Sequence, residues 1–472
     1  VSVLDKYTAL LDRLDPIKQI GRVQRAQGLV LESNGPQASV GELCQIVLSS
    51  LTVWAEVVGL HGNIVQLMPF SEVSGVAVGA PVIATGDRLR VPVSDKLLGR
   101  VLDARGFPID GGPDIGSAEF YPAVADPPEV LERSRIDEQM VTGVRAIDGF
   151  IATGKGQRLG VFSGSGVGKS TLIGMIARNT AADVNVIALI GERGREVREF
   201  IENDLGEEGL ARSVVVVSTS NTPPLARLRG AYVATAVAEY FRDRGKDVTL
   251  LFDSVTRFAR AQREIGLAVG ETPANRGFPP SMFSLLPKLL ERSGTSGSGS
   301  ITGFYSILVE GDDMDEPVAD TVRGILDGHL VLSRRLAERY HYPAVDVLGS
   351  VSRLANKILP KDVQQAAGQL RRMLAVYRDA EDLINVGAYT RGSNPEIDEA
   401  IERVPLINQF LRQDVEEKAT VEDTQQRVLE LAGMAEPAHP QESADAPAVT
   451  APPASSAAAL LNGMEPMERA DA

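Results

Sequence analysis

The sequence predicts an α/β protein with a mainly parallel central sheet covered on both faces, a small β-barrel or sandwich ahead of it and helices behind. Three observations carry that expectation. Over residues 96–358 short runs rich in β-branched residues, "RLGVFSG", "VNVIALIGE", "SVVVVST", "VTLLFDS" and "GFYSILVEG", alternate with helix or turn text, the pattern of strands buried on both faces. Over residues 19–95 brief Val/Leu/Ile runs are broken by Gly, Asn-Gly and Pro, the punctuation of several closely spaced strands. Over residues 359–433 the strands vanish, and "VQQAAGQLRRMLAVYRDAEDLI" and "EIDEAIERVPLINQFLRQ" read as helices.

The two ends differ from this body. Residues 1–18 place Val3, Leu4, Tyr7, Leu10, Leu11 and Leu14 at helical spacing before Pro16, so an amphipathic helix with an apolar face to cover is expected. Residues 434–472 are acidic and rich in Ala and Pro, with Arg469 as the only Lys or Arg. That composition buries too little apolar surface to offset the entropy of ordering, and disorder is expected.

Across 472 residues, 48 Lys+Arg stand against 63 Asp+Glu, a net charge of −15, which argues against a broad electrostatic footprint on nucleic acid or anionic lipid. No run approaches the ~18 apolar residues of a membrane span, and the first residues lack a basic-then-apolar signal pattern; a cytoplasmic protein is expected. The lone cysteine, Cys44, reads as a small buried hydrophobe.

The chemistry concentrates in "RLGVFSGSGVGKSTLI", residues 158–173. A strand, a glycine-rich turn and a helix in that order form a phosphate-binding loop, because the turn aims backbone N–H groups inward and the helix N-terminus faces the anion. Gly164, Gly166 and Gly168 keep the backbone bare, with Ser165, Val167 and Thr171 completing the nucleotide-binding stretch. Lys169 suits the β/γ-phosphates and Ser170 suits Mg²⁺. Ser163 occupies the first position of the G-x-x-x-x-G-K-[ST] spacing, next to the strand, where extended backbone accepts a serine. Asp253 ends "DVTLLFD", where it can hold Mg²⁺ through water. Glu192 follows another buried run, at the carboxyl edge where open α/β sheets bind ligands, and suits orienting or deprotonating an attacking water; Arg193 and Glu196 come after it. Several arginines qualify to meet transition-state charge, Arg353 in "HYPAVDVLGSVSRLANK" among them.

With these stand "GERGREVREF", "LLFDSVTRFARAQREIGLAVGETP", "RGFPPSMFSLLPKLLERSG", "VEGDDMDEPVADTVRGILDGHLVLSR" and "INVGAYTRGSNPEIDEAI". From about residue 20 to about residue 430 the chain resembles the type III secretion ATPases, especially the flagellar protein-export branch, relatives of the catalytic subunits of rotary ATP synthases. The resemblance implies a RecA-like P-loop ATPase core with an N-terminal β-barrel and a C-terminal helical domain. It implies ATP as substrate with Mg²⁺, Lys169 and Ser170 on phosphate and metal, Glu192 polarising water and Arg193 supporting the phosphates. Asp253 would hold the metal through water, Tyr342 would stack on adenine, and Arg353 would reach into a neighbouring subunit's site. Arg257 matches a family position without an assigned role.

Because one chain carries both Glu192 and Arg353, it can build complete sites by repeating around a ring, and a homohexamer is expected. The resemblance further implies a coiled-coil central stalk facing the acidic cluster Glu310, Asp312, Asp313, Asp315 and Glu316, and a dimeric stator-like regulator on the N-terminal helix. Export-gate membrane proteins, export substrates and chaperones are the other expected partners, nucleic acid is not, and the expected location is the cytoplasmic face of the inner membrane. The Gly/Ser run "SGTSGSGS" reads as a mobile loop. Alternatives are a non-flagellar injectisome ATPase and, further off, a rotary synthase catalytic subunit or a ring-shaped RNA helicase.

Overall fold

The computed structural model describes residues 19–435 apart from Ser50, Ser117, Glu310 and Asp312. The helix expected over 1–18 and all but the first two residues of the tail expected over 434–472 lie outside the described residues.

Six strands, β1 (Ile20–Gln27), β2 (Val30–Asn34), β3 (Glu42–Val47), β4 (Thr52–His61), β5 (Ile64–Pro69) and β6 (Pro81–Arg88), close into a barrel in the order β1-β2-β5-β4-β3-β6. Alternation fills it: in β3 every second residue is buried, and Leu31, Cys44, Ile46, Ala55, Leu67 and Val82 make its interior. Closure leaves no free sheet edge.

The central sheet contains β7 (Val101–Leu102), β8 (Arg158–Ser163), β9 (Val184–Ile190), β10 (Ser213–Ser218), β11 (Asp247–Asp253), β12 (Ser300–Leu308), β13 (Gly328–Leu332) and β14 (Val351–Ser352), ordered β14-β13-β8-β12-β11-β9-β10-β7. Pairing along this path is parallel except at the edge, where β14 runs antiparallel to β13. Strand β9 is buried at all seven positions, and its side chains divide between two cores. Val184, Val186, Ala188 and Ile190 join one core with α3 (Pro224–Asp243) and α4 (Val255–Ala268), while Ile187 and Leu189 join the other with α1 (Lys169–Asn179). This two-sided burial is why the strands read as unbroken apolar runs.

The Gly/Ser run departs from expectation. Gly294–Thr295 pairs antiparallel with the start of β12, Ser293 Oγ lies 2.7 Å from the Tyr305 hydroxyl, and Thr295 Oγ1 donates to the Ser134 carbonyl at 2.7 Å. The run is a paired hairpin, because its small hydroxyl side chains find hydrogen-bond partners on neighbouring segments that composition does not announce.

After α5 (Arg334–Glu338) come the C-terminal helices α6 (Lys361–Asn385), α7 (Pro395–Leu411) and α8 (Val421–Leu431). Val363, Ala366, Leu370, Ile407, Phe410 and Val428 add them to the core that holds α1, so the helical region is built onto the side of the sheet that carries the phosphate loop. Among the described residues no helix is long and apolar enough to cross a membrane.

Candidate nucleotide site

Strand β8 ends at Ser163, which is buried and still within the strand, so a serine there leaves the turn intact. The turn's left-handed residues are Gly166 (φ 77°) and Gly168 (φ 89°), and Gly168 caps the N-terminus of α1. Any Cβ at Gly168 would be strained by that backbone and would sit 3.5 Å from the Tyr342 ring. The unpaired N–H groups of α1 and its positive dipole end therefore face the loop. Gly164, Ser165, Gly166, Gly168, Lys169, Ser170 and Thr171 line a cavity of about 360 Å³ together with Glu192, Arg193 and Arg257; Val167 packs beneath it, 2% exposed.

Charges converge on the ammonium of Lys169. It is paired with Asp253 Oδ1 and lies 3.8 Å from Glu192 Oε1. Asp253 is 3% exposed, and its Oδ1 also accepts a 2.7 Å hydrogen bond from Ser306 Oγ. Arg257 Nε stands 4.0 Å from Glu192 Oε1. Burial and then the nearby negative charge of Asp253 push Glu192 up to about 6, against the opposing pull of Lys169 and Arg257. Gly191, at φ 75°, lets the chain turn after β9, and a Cβ there would come within 2.8 Å of Arg257 Cβ. Arg193, the N-cap of α2 (Gly194–Glu199), is exposed at the rim, its Nη1 3.4 Å from Glu196 Oε1. A hydroxyl, Ser170, and a buried carboxylate, Asp253, beside the phosphate loop are hard oxygen donors of the kind that suit Mg²⁺, which keeps water and phosphate oxygens as its other ligands.

A second cavity of about 530 Å³ shares Gly168 and Thr171 with the first. Leu172, Met175, Tyr342 and Pro343 give it apolar walls, and Arg412, Gln413, Asp414 and Val415 close it from the segment after α7. Gln413 fixes that segment: its N–H donates to the Tyr342 carbonyl at 3.0 Å, its Nε2 donates to the Gly143 carbonyl at 2.8 Å, and its Oε1 accepts from the Arg145 N–H at 2.9 Å. Sequence reading missed these four residues, since "RQDV" after a helix reads only as a polar connection and no local signal marks it.

The structure thus gathers the phosphate loop, Glu192, Arg193, Asp253, Arg257 and Tyr342. It does not bring Arg353 to them: that residue follows the edge strand β14, is exposed, lines neither cavity, and donates its backbone N–H to the Asp327 carbonyl at 3.0 Å. In the acidic loop, Asp313 pairs with Arg276 at 3.0 Å and Asp315 lies 3.6 Å from Arg323; Glu310 and Asp312 are outside the described residues.

Comparison with known proteins agrees with this fold. The nucleotide-binding domain of the ATP synthase alpha/beta family matches residues 143–352, the beta-barrel domain of that family matches 23–86, and the T3SS EscN ATPase C-terminal domain matches 359–430. The chain is 57% identical to the flagellum-specific ATP synthase of Treponema pallidum over 437 residues, spanning 92% of this chain and 97% of the relative. It is 52% identical to the type 3 secretion system ATPase of Xanthomonas euvesicatoria over 409 residues, 86% and 92% of the two chains. Among solved structures, the assembled ATPase EscN of the enteropathogenic E. coli type III secretion system aligns with a TM-score of 0.83 at 43% identity, covering 87% of this chain and 100% of that one. EscN in complex with its central stalk EscO aligns with a TM-score of 0.82 at 43% identity, with the same coverage. The chain belongs to the ATP synthase alpha/beta family and, within it, to the type III secretion ATPases.

Proposed function

We propose that this ATPase serves a flagellar export apparatus and works as a homohexamer whose active sites are completed between neighbouring copies. The chain is an ATP hydrolase that energises protein export through a type III secretion apparatus. The observation that carries the ring is the separation of Arg353, exposed beside the edge strand, from a phosphate cavity that already contains Lys169 and Glu192. An exposed arginine that does not line its own site is available to the next copy's γ-phosphate, where it would stabilise transition-state charge.

In this reading the backbone of Gly164–Thr171 and the ammonium of Lys169 hold the phosphates, drawing Lys169 from its two carboxylate neighbours. Glu192 orients the attacking water and takes up its proton; burial beside Asp253 makes it a better base than an ordinary glutamate. Arg193 supports the phosphate rim, and Tyr342 stacks on the adenine. Ser170 and, through water, Asp253 would hold the Mg²⁺, which when bound neutralises phosphate charge.

The flagellar assignment draws on the wording of the motifs taken together and on flagellum-specific relatives at 57% and 53% identity. The partners proposed with it are a central stalk at the 309–321 loop, a dimeric regulator at residues 1–18, and the export gate with its substrates and chaperones, at the cytoplasmic face of the inner membrane. Deleting the gene and scoring motility and filament assembly tests it: non-motile cells without filaments are expected. Normal flagella with loss of another secreted set would move the protein to an injectisome.

A further inference from the structure

We propose that Tyr340 is a second aromatic wall of the base subsite and sets how strongly the protein prefers an adenine nucleotide to a bare polyphosphate. The proposal rests on the reading of the larger cavity as the place of the base.

Helix α5 ends in two paired backbone bonds: the Tyr340 N–H donates to the Ala337 carbonyl and the His341 N–H to the Leu336 carbonyl, each at 3.0 Å. This is the Schellman arrangement, in which the residue just past the cap turns left-handed and is most often glycine. Here that residue is Tyr340, at φ 55°. An L side chain is disfavoured in this backbone, and burial does not offset the cost, since Tyr340 is 87% exposed. The ring's one aromatic neighbour among the described residues is Tyr342, so the strained backbone brings little burial in the nucleotide-free fold, and such strain is characteristic of ligand-contacting positions.

The ring's surroundings identify the ligand class. Tyr340 and Tyr342 line the cavity that shares Gly168 and Thr171 with the phosphate loop. Their ring centroids are 6.4 Å apart and their planes cross at 89°, so together they offer a face and an edge to a flat heteroaromatic ring, with Leu172, Met175 and Pro343 as apolar walls. A base whose phosphates occupy the loop meets Tyr342 first and Tyr340 at the rim. Loss of one stacking partner lowers affinity for such a base about tenfold.

The test is calorimetric titration of the full chain and of Tyr340→Asn, Tyr340→Phe and Tyr342→Ala with ADP and with pyrophosphate, each with Mg²⁺. Asparagine accepts the left-handed backbone and removes the ring. The expected result is that Tyr340→Asn binds ADP about tenfold more weakly and pyrophosphate as the parent does, while Tyr340→Phe keeps the parent's affinity for both. Should Tyr342→Ala lose ADP selectively and Tyr340→Asn not, the base subsite stands and the role of Tyr340 falls. If neither tyrosine changes the ratio of the two affinities, the base-subsite reading itself is overturned. Equal weakening of both ligands by Tyr340→Asn, or a loss seen only when light scattering shows a smaller assembly, also overturns the proposal.

Discussion

Glu192 carries a proposed catalytic role and a cost to the fold. Its carboxyl is raised from the ordinary 4.5 to about 6 by burial and by Asp253, so the folded protein holds that proton more tightly than the unfolded chain. The sign follows: below about pH 4.5 the group costs nothing, and as pH rises toward 6 the cost grows to about 2 kcal/mol and then stays level. Glu192→Gln should therefore raise the thermal midpoint of the nucleotide-free protein near pH 7.5 and leave it unchanged near pH 4.5, while turnover falls at least ~100-fold. An equal gain at both pH values would show that the carboxylate is not the source of the cost. Cys44 makes the opposite case. Fully buried in the barrel, its thiol is pushed up to about 12 by burial and then by Glu42, and alkylating reagents near pH 7 should label it only after unfolding.

Between elements, buried ion pairs do part of the joining. Glu56 of β4, 3% exposed, accepts from Arg229 Nε of α3 at 2.6 Å, fastening the barrel to the sheet domain. Removing one partner strands a buried charge, so Arg229→Met alone should destabilise by about 3–5 kcal/mol. The double variant with Glu56→Gln should recover most of that loss, and chemical denaturation of the singles and the double measures the difference. The turn into α1 is constrained otherwise, by backbone. Gly168→Ala puts a Cβ in left-handed backbone against the Tyr342 ring, and nucleotide binding should weaken at least ~10-fold; unchanged ADP affinity in titration would contradict this account of the loop. These two joints differ in legibility. The glycine turn is local and could be read from "SGSGVGKS", whereas Glu56 and Arg229 are 173 residues apart and nothing in either segment names its partner.

At the scale of the molecule, the placement of Arg353 away from the phosphate cavity makes a prediction about assembly. Glu192→Gln and Arg353→Ala proteins should each be nearly inactive alone, and rings mixed from the two should regain part of the parental ATPase rate, because some interfaces then pair an intact glutamate with an intact arginine. No recovery at any mixing ratio would sink an arginine supplied in trans. The sequence by itself determined the layer order, the strands and the glycine-rich turn whose residues line the smaller cavity, because a buried strand, a glycine turn and a helix start are written in neighbouring residues whose types are dictated by backbone geometry and burial. It also carried Glu192 and Asp253, since each ends a strand of the same parallel sheet and so falls at one edge. Tertiary structure alone decided the rest: that residues 412–415 wall the second cavity beside the phosphate loop, that Ser306 holds Asp253, that the Gly/Ser run pairs as a hairpin, and that Tyr340 stands left-handed at that cavity's rim. Those contacts join segments far apart in the chain, where hydrogen bonding and packing are set by the folded arrangement of the sheet and helices and leave no periodic trace in the residues themselves.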